Sequence, residues 1–378
     1  MAKCIMVGCD LHGISMLLRV AVDREEALTR SCSTTPAARQ AVIADLRRRA
    51  ECVGAKRVVL AYEACGLGFG WHDELTAAGI ECYVLAPSKM SRSAHQRKRK
   101  TDEKDAQAIL DLVRSHVLAG AALPKVWVPD LQTRDDREVV RRRLALAEQA
   151  AAVKVRIGWL LQRHGQESPP AKAWSEPYYL WLKELAGGGL AKGAAATLSS
   201  MLGELAWFQE ELVRLEGQIK ELSQQPRYAS PVAALRRHKG VGRLTALVFL
   251  TELGRLSRFK NRQQLGSYLG LTPSSFESGV ADDRKGHITH QGPSRVRKVL
   301  CQAVWSRLRV VPEEKAAYER LVRRNPQHKK VAVVARMRTL GVVLWHEGLA
   351  AQAALASGLK RGGHCPLSPG VVGAVSAA

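Results

Sequence analysis

The sequence contains no run of about 18 uninterrupted apolar residues, which excludes an ordinary membrane-spanning helix. None of its eight cysteines forms a CxxC pair, and six fall within the first 82 residues on apolar or helical stretches. Zinc ligation and a disulfide framework are therefore not expected; reduced, buried thiols in a reducing compartment are. Aromatic residues are only 5%, so no aromatic-rich RNA-binding module is visible. Acids are also in short supply. With 35 Asp and Glu against 58 Lys and Arg in 378 residues, the formal net charge is +23, an excess that points to a polyanionic partner. Met1 to Asp10 lacks the basic-then-apolar layout of a signal peptide, so a soluble intracellular protein is expected. The 46% of apolar residues excludes a wholly disordered basic chain, and the length suits two or three domains.

The first third alternates short β-rich runs with helical stretches. Ile5 to Asp10 reads as a strand, Met16 to Val22 as its hairpin partner and Arg30 to Thr34 as a weaker third strand. Pro36 opens an amphipathic helix through Ala50; Arg57 to Tyr62 is a continuous apolar strand, Leu67 to Ala78 a helix and Glu81 to Leu85 a further strand. This order predicts a mixed sheet with helices on its faces.

Beyond Val128 the strand signals fade. Leu131 to Gln162 reads as one long helix, followed over 165–193 by a Pro, Gly and Trp rich connection or insertion without a clear period. Leu198, Met201, Leu205, Phe208, Leu212, Leu215, Ile219 and Leu222 then alternate spacings of three and four, the pattern of a coiled-coil seam. Its partner is either a helix of another chain or, as an intrachain hairpin, the helix carrying Arg134. The two are compatible if two chains form a bundle. After the break at Pro226 to Pro231 a mainly helical region runs to about Glu347. In it, His238 to Ala246 is similar to the hairpin of a helix-hairpin-helix element, where Gly240 and Gly242 let backbone amides approach a phosphate; a plain helix-joining turn explains the same glycines. Residues 284–338 hold 15 Lys and Arg against three Glu, over half of the net charge. After Ala350 the Ala, Gly, Ser and Pro rich composition predicts a poorly ordered tail.

Four acids stand out by position. Asp10 ends the first strand, Glu63 ends the strand RVVLAYE, and Asp102 and Asp105 lie three apart at a helix start in KTDEKDA. Strand ends of such a sheet emerge at one rim, so all four could converge. Four carboxylates meeting in a strongly basic protein require a cation, and oxygen ligands favour Mg²⁺ or Mn²⁺. Two such ions can stabilise the attacking and leaving oxygens of a phosphodiester. Singly, each acid has a plainer reading: Asp102 as a helix cap, Glu103 and Asp105 as first-turn carboxylates, Asp10 and Glu63 as loop-edge acids. Arg97, Lys98, Arg99 and Lys100 immediately precede the pair and suit a phosphate backbone on its way to the metals.

With Asp10, Glu63 and KTDEKDA in this order, residues 1–128 resemble an RNase H-like (RuvC-like) domain, and specifically that of the DEDD transposases of bacterial insertion sequences, the bridge-RNA-guided recombinases. The resemblance extends over nearly the whole chain: a helical coiled-coil region at 129–225, a C-terminal transposase domain at 226–349 and the tail at 350–378. HKGVGRLTALVFLTELGRLSRF, QLGSYLGLTPSSFESG and GHITHQGPSRVRKVLCQAVW look like that family's second domain. The resemblance implies that the serine of Glu277-Ser278-Gly279, after GLTP, is the nucleophile, with Ser274 and Ser275 as weaker competitors. It also implies Mg²⁺ or Mn²⁺ on the acidic tetrad, donor and target DNA, a structured guide RNA, and work in the bacterial cytoplasm at the nucleoid. Arg284, Lys285, His287, Arg295, Arg297 and Lys298 are expected to hold nucleic-acid phosphates. The chain has Cys65 where the family shows Thr after the Glu-Ala pair, and Ala86-Pro87 where it shows Asn-Pro; neither replaces an acid.

The chemistry implied is attack by the Ser278 hydroxyl on a DNA phosphate, conserving the bond energy in a phosphoserine so that strands are rejoined without ATP. A homo-oligomer, dimer or tetramer, with a composite site follows if the seam joins chains. Two other readings compete: a metal-dependent junction-resolving endonuclease that uses water and needs no serine, and a nucleic-acid-binding scaffold with an inactive centre.

Overall fold

The computed structural model describes residues 3–90, 101–275 and 285–361, in two compact units, Met1–Pro129 and Asp130–Ala378. In the first, the chain runs β1 (Cys4–Leu11), β2 (Ser15–Val22), β3 (Leu28–Ser33), α1 (Pro36–Val53), β4 (Arg57–Glu63), α2 (Gly70–Ala77), β5 (Glu81–Leu85) and α3 (Asp102–Ala119). The sheet order is β3-β2-β1-β4-β5, antiparallel across the first three strands and parallel from β1 to β4 and from β4 to β5. This is the mixed five-stranded sheet with flanking helices of an RNase H-like domain.

β1 sits in the middle and is buried throughout because both of its faces are covered. Side chains alternate along a strand. Ile5, Val7 and Cys9 join a core with Val42, Ile43 and Leu46 of α1. Cys4 and Met6 face the other way, into a core with Ile109, Leu110 and Val113 of α3. Thr35 caps α1, accepting a hydrogen bond from the Ala38 amide at 3.3 Å, and Pro36 begins it; Gly54, with φ of +67°, ends it. The outer edge of β5 is covered by the segment around Lys125, which bridges to Leu85.

In the second unit, α4 (Leu131–Arg163) and α6 (Lys192–Gln224) lie against each other as an antiparallel hairpin. Leu146, Val153, Ile157, Leu160 and Leu161 of α4 share one core with Leu198, Leu205, Phe208 and Leu215 of α6. Arg143 pairs with Glu216 at 2.7 Å and Arg156 with Glu204 at 3.3 Å, which fixes the opposed direction. Of the two partners open to the seam, the structure has the intrachain one, α4, the helix carrying Arg134. A spacing of three and four specifies a partner helix but not which chain supplies it. The stretch 165–193 contains a helix, α5 (Glu176–Glu184), and a π-helical turn, Leu185–Gly189. Tyr178, Leu182 and Leu185 bury against the hairpin, a short amphipathic face that the surrounding glycines and prolines had masked.

The remaining helices are α7 (Pro226–Arg236), α8 (Arg243–Leu253), α9 (Arg262–Tyr268), α10 (Ser294–Val310), α11 (Pro312–Arg324) and α12 (Lys329–Arg361), with a two-stranded ribbon of β6 (Pro273–Ser275) and β7 (Lys285–Ile288). α7 and α8 flank the turn His238 to Gly242. Arg137 closes the end of α8, donating to the Thr251 and Glu252 carbonyls at 2.7 and 3.0 Å, while Arg141 grips the Glu252 carboxylate through two hydrogen bonds of 2.8 and 2.9 Å. α12 continues beyond Ala350 to Arg361, past the point where composition predicted loss of order. Its alanines are strong helix formers, so the change in composition there is not a helix stop. Residues 362–378 lie outside the described residues. Among the described residues no helix is long and apolar enough to cross a membrane.

Candidate functional site

Of the four acids, Asp10 and Asp102 come together, and the pleat is the reason. Cys4, Met6, Gly8 and Asp10 point alternately to the α3 face of β1, and Val59 and Ala61 of β4 belong to the same core, which puts Glu63 on that face as well. Cys9 stands opposite Tyr62 in the parallel pair, so the next residues, Asp10 and Glu63, leave the sheet side by side at its C-terminal rim. On α3, Ala106, Ile109, Leu110 and Val113 are buried against the sheet. Asp102 and Asp105 continue that inward stripe into the first turn.

Gly8 sets the distance. A Cβ there would lie 2.2 Å from the Ala106 carbonyl oxygen and 2.3 Å from the Leu110 amide nitrogen, so only glycine lets the helix come this close. The helix start is capped by Thr101, whose hydroxyl accepts from the Lys104 amide at 3.4 Å; Asp102 is therefore not the cap. Glu103 is turned away to Arg19, with its Oε1 3.0 Å from Nη1, and Arg19 Nε donates to Gln107 at 2.9 Å.

Asp10 is 7% exposed. Burial raises its pKa above the ordinary carboxylate range; His12 works against this, and the Asp105 and Asp102 carboxylates add to it. Sequence reasoning missed His12, two residues beyond Asp10. Its Nε2 donates to Asp10 Oδ2 at 3.1 Å and lies 3.6 Å from Asp102 Oδ1, and one ligand atom from each of the three residues falls within 4.8 Å of the others. An Asp-x-His pair at a strand end, ahead of an acidic helix start, is the signal that would have found it. This donor set fits a divalent cation: clustered carboxylates, one of them pushed toward neutrality by its burial, gain from a positive charge.

In the second unit the basic residues divide into two kinds. Arg297 Nη1 donates to the Leu269, Gln291 and Gly292 carbonyls at 3.1, 3.0 and 3.2 Å and so holds the backbone ahead of α10. Lys298 pairs with Glu148 at 2.5 Å. Arg295 and His287 are exposed. At Gly240, with φ of +85°, a Cβ would meet the Ala303 carbonyl oxygen at 2.9 Å, so this glycine serves the close packing of the turn on α10; Gly242 has open space around it at the start of α8. Ser274 donates to the His287 carbonyl at 3.0 Å, an engagement across the ribbon whose two strands bracket Ser278 in sequence. Arg97, Lys98, Arg99, Lys100, Ser278 and Arg284 lie outside the described residues, as does the side chain of Lys285.

Two family models match this chain. The family model for the DEDD transposases of IS110, described as Transposase, matches residues 7–165, and the one described as Transposase IS116/IS110/IS902 family matches residues 232–319. The Sinorhizobium fredii relative y4rJ is 30% identical over 331 residues, 80% of this chain and 80% of its own length. The chain belongs to the IS110 family of DEDD insertion-sequence transposases. A second Sinorhizobium fredii relative, y4qE, is 32% identical over 265 residues, 70% of this chain, and the chain spans 62% of its length. The transposase for insertion sequence element IS1533 of Leptospira borgpetersenii is 24% identical over 246 residues, 65% of this chain and 69% of the relative. Within the family match at residues 7–165 fall Asp10, Glu63, Asp102 and Asp105.

Proposed function

We propose that the chain is a DNA transposase that cuts and rejoins DNA with Ser278 as nucleophile and a divalent cation on the acidic tetrad. The single observation that supports this most is that a buried strand-end Asp10 and the helix-start Asp102 come together on one sheet rim in a chain of the IS110 family. A divalent cation there supplies a Lewis acid to the scissile phosphate and eases ionisation of an attacking hydroxyl. Asp10, Asp102, Asp105 and Glu63 would hold it, and Mg²⁺ and Mn²⁺ are the ions their oxygens suit.

The protein residues do the rest. In the covalent step the Ser278 Oγ–P bond forms as a backbone P–O bond breaks, the serine proton leaves to solvent or a neighbouring base, and the released deoxyribose carries the hydroxyl that later reverses the reaction. The surplus of 12 basic residues over 284–338 suits a DNA or RNA backbone, with Arg295 and His287 exposed for that purpose. A structured guide RNA and assembly into a dimer or tetramer with a composite site complete this reading by likeness to the family.

The test is to incubate labelled donor DNA with the wild type, Ser278→Ala and Asp102→Ala, and to look for a denaturant-resistant protein-DNA adduct and for recombinant product. Both variants are expected to lose both signals. Full activity of Ser278→Ala would instead assign the site to a water-using endonuclease, and a wild type that binds DNA but gives neither adduct, cleavage nor recombinant product would leave a binding scaffold.

A further inference from the structure

We infer that His12 is itself a metal ligand, through Nε2, and that it makes the site of this chain select Mn²⁺ over Mg²⁺. The inference rests on the metal-binding reading of the acidic rim given above and adds a residue to it. The Nε2 atom is 3.1 Å from Asp10 Oδ2 and 3.6 Å from Asp102 Oδ1. Adjacent donors of an octahedral ion at about 2.1 Å are separated by roughly 3.0 Å, so both separations from Nε2 already stand close to the spacing that one ion requires, and all three ligand atoms lie within 4.8 Å of one another. His12 is on the short connection between β1 and β2, anchored on one side by the central strand and on the other by the hydrogen bond from its own amide to the Ser15 carbonyl at 2.8 Å. Its ring is thus delivered by the backbone to the same place as Asp10.

With the ion absent, Nε2 carries the proton and donates it to Asp10. As a ligand, the ring presents the Nε2 lone pair to the ion with its proton on Nδ1, and the side chain is 43% exposed, so solvent can exchange the two tautomers. Imidazole nitrogen is a poor ligand for Mg²⁺, which prefers oxygen and its own water, but a good one for first-row transition metals. A nitrogen among the oxygens therefore changes the choice of metal.

The experiment uses the full-length protein and Mn²⁺ as the probe. Calorimetric titration with Mn²⁺ and with Mg²⁺ is paired with pulsed electron paramagnetic resonance of the Mn²⁺-loaded protein, for the wild type, His12→Gln, His12→Ala and Asp10→Asn. The wild type is expected to show ¹⁴N coupling from a directly bound imidazole, lost in both His12 variants. Those variants are expected to bind Mn²⁺ about 10- to 100-fold more weakly while binding of Mg²⁺ changes much less. Circular dichroism checks that they fold. Mn²⁺ binding that depends on Asp10 but shows no ¹⁴N coupling would overturn the role of His12 and leave the acidic site intact. Absence of any Asp10-dependent Mn²⁺ binding would overturn both.

Discussion

The Gly8 Cα of β1 faces the Ala106 carbonyl of α3 so closely that a methyl group at residue 8 would lie 2.2 Å from that oxygen. Backbone cannot yield as a flexible side chain can, so Gly8→Ala pushes the helix outward and takes Asp102 and Asp105 with it. Stability is expected to fall by at least 1–3 kcal/mol, the usual cost of overpacking, and Mn²⁺ affinity with it. An unchanged melting temperature together with unchanged metal binding would refute the claim that this glycine places the acids.

Replacing Asp10 by Asn is expected to remove activity and yet raise the melting temperature in the presence of a chelator. The folded protein raises the Asp10 pKa through burial and the neighbouring Asp105 and Asp102, with His12 opposing. A carboxyl whose pKa is raised by folding stabilises the fold only while protonated, and that stability is lost as pH rises through the folded value. Asn carries no such cost at neutral pH. The gain should vanish in acid, below the ordinary Asp value of about 3.9, which melting curves of both proteins across pH would reveal.

Glu252 behaves in the opposite sense. It is 4% exposed; burial alone would raise its pKa, but the two hydrogen bonds from Arg141, with Arg137 close by, hold it below the usual range. A carboxylate with a depressed pKa contributes stability that is present above its unfolded value and lost as pH falls through the folded one. Glu252→Gln is expected to cost about 1–3 kcal/mol at pH 7, since it takes the charge partner from the half-buried Arg141. Denaturant titrations should show the gap to the wild type narrowing below about pH 4.3.

Arg297 and Arg295 are two residues apart and are expected to differ in kind. Arg297→Ala removes the donor to three backbone carbonyls and should lower stability by about 1–3 kcal/mol while leaving the salt dependence of DNA binding as it was. Arg295→Ala should leave stability alone and reduce the slope of log affinity against log salt by about one. Binding isotherms at several salt concentrations separate the two; slopes equal to the wild type's in both variants would argue that neither side chain reaches a phosphate.

Much of the first unit was legible because its signals are local. Arg57 to Glu63 is an apolar run, Pro36 and Thr35 mark a helix start, and Glu81 to Leu85 ends at a proline. The convergence of Asp10 with Asp102 was legible too, since a strand end and a helix start are both positions with a direction. His12 was not, because a lone histidine in a turn carries no period, and its value appears only when Asp102 arrives from far along the chain. Gly8 was hidden for a related reason: in sequence it is one glycine within a strand, and the carbonyl it makes room for belongs to another element. Leu198 to Leu222 was legible as a seam with two possible partners, of which the helix carrying Arg134 was one. The seam itself was plain, but hydrophobic spacing has no label for the chain on the other side, and Leu146 to Leu161 turned out to fill it.

Asp10 and Asp102 belong to the opening strand and the closing helix of their unit. An ion gripped by both would work as a reversible cross-link around almost everything between them, tying the fate of the fold to the supply of metal. Starvation for the ion would then loosen the enzyme as well as silence it, and a host could restrain the element simply by what it keeps in solution.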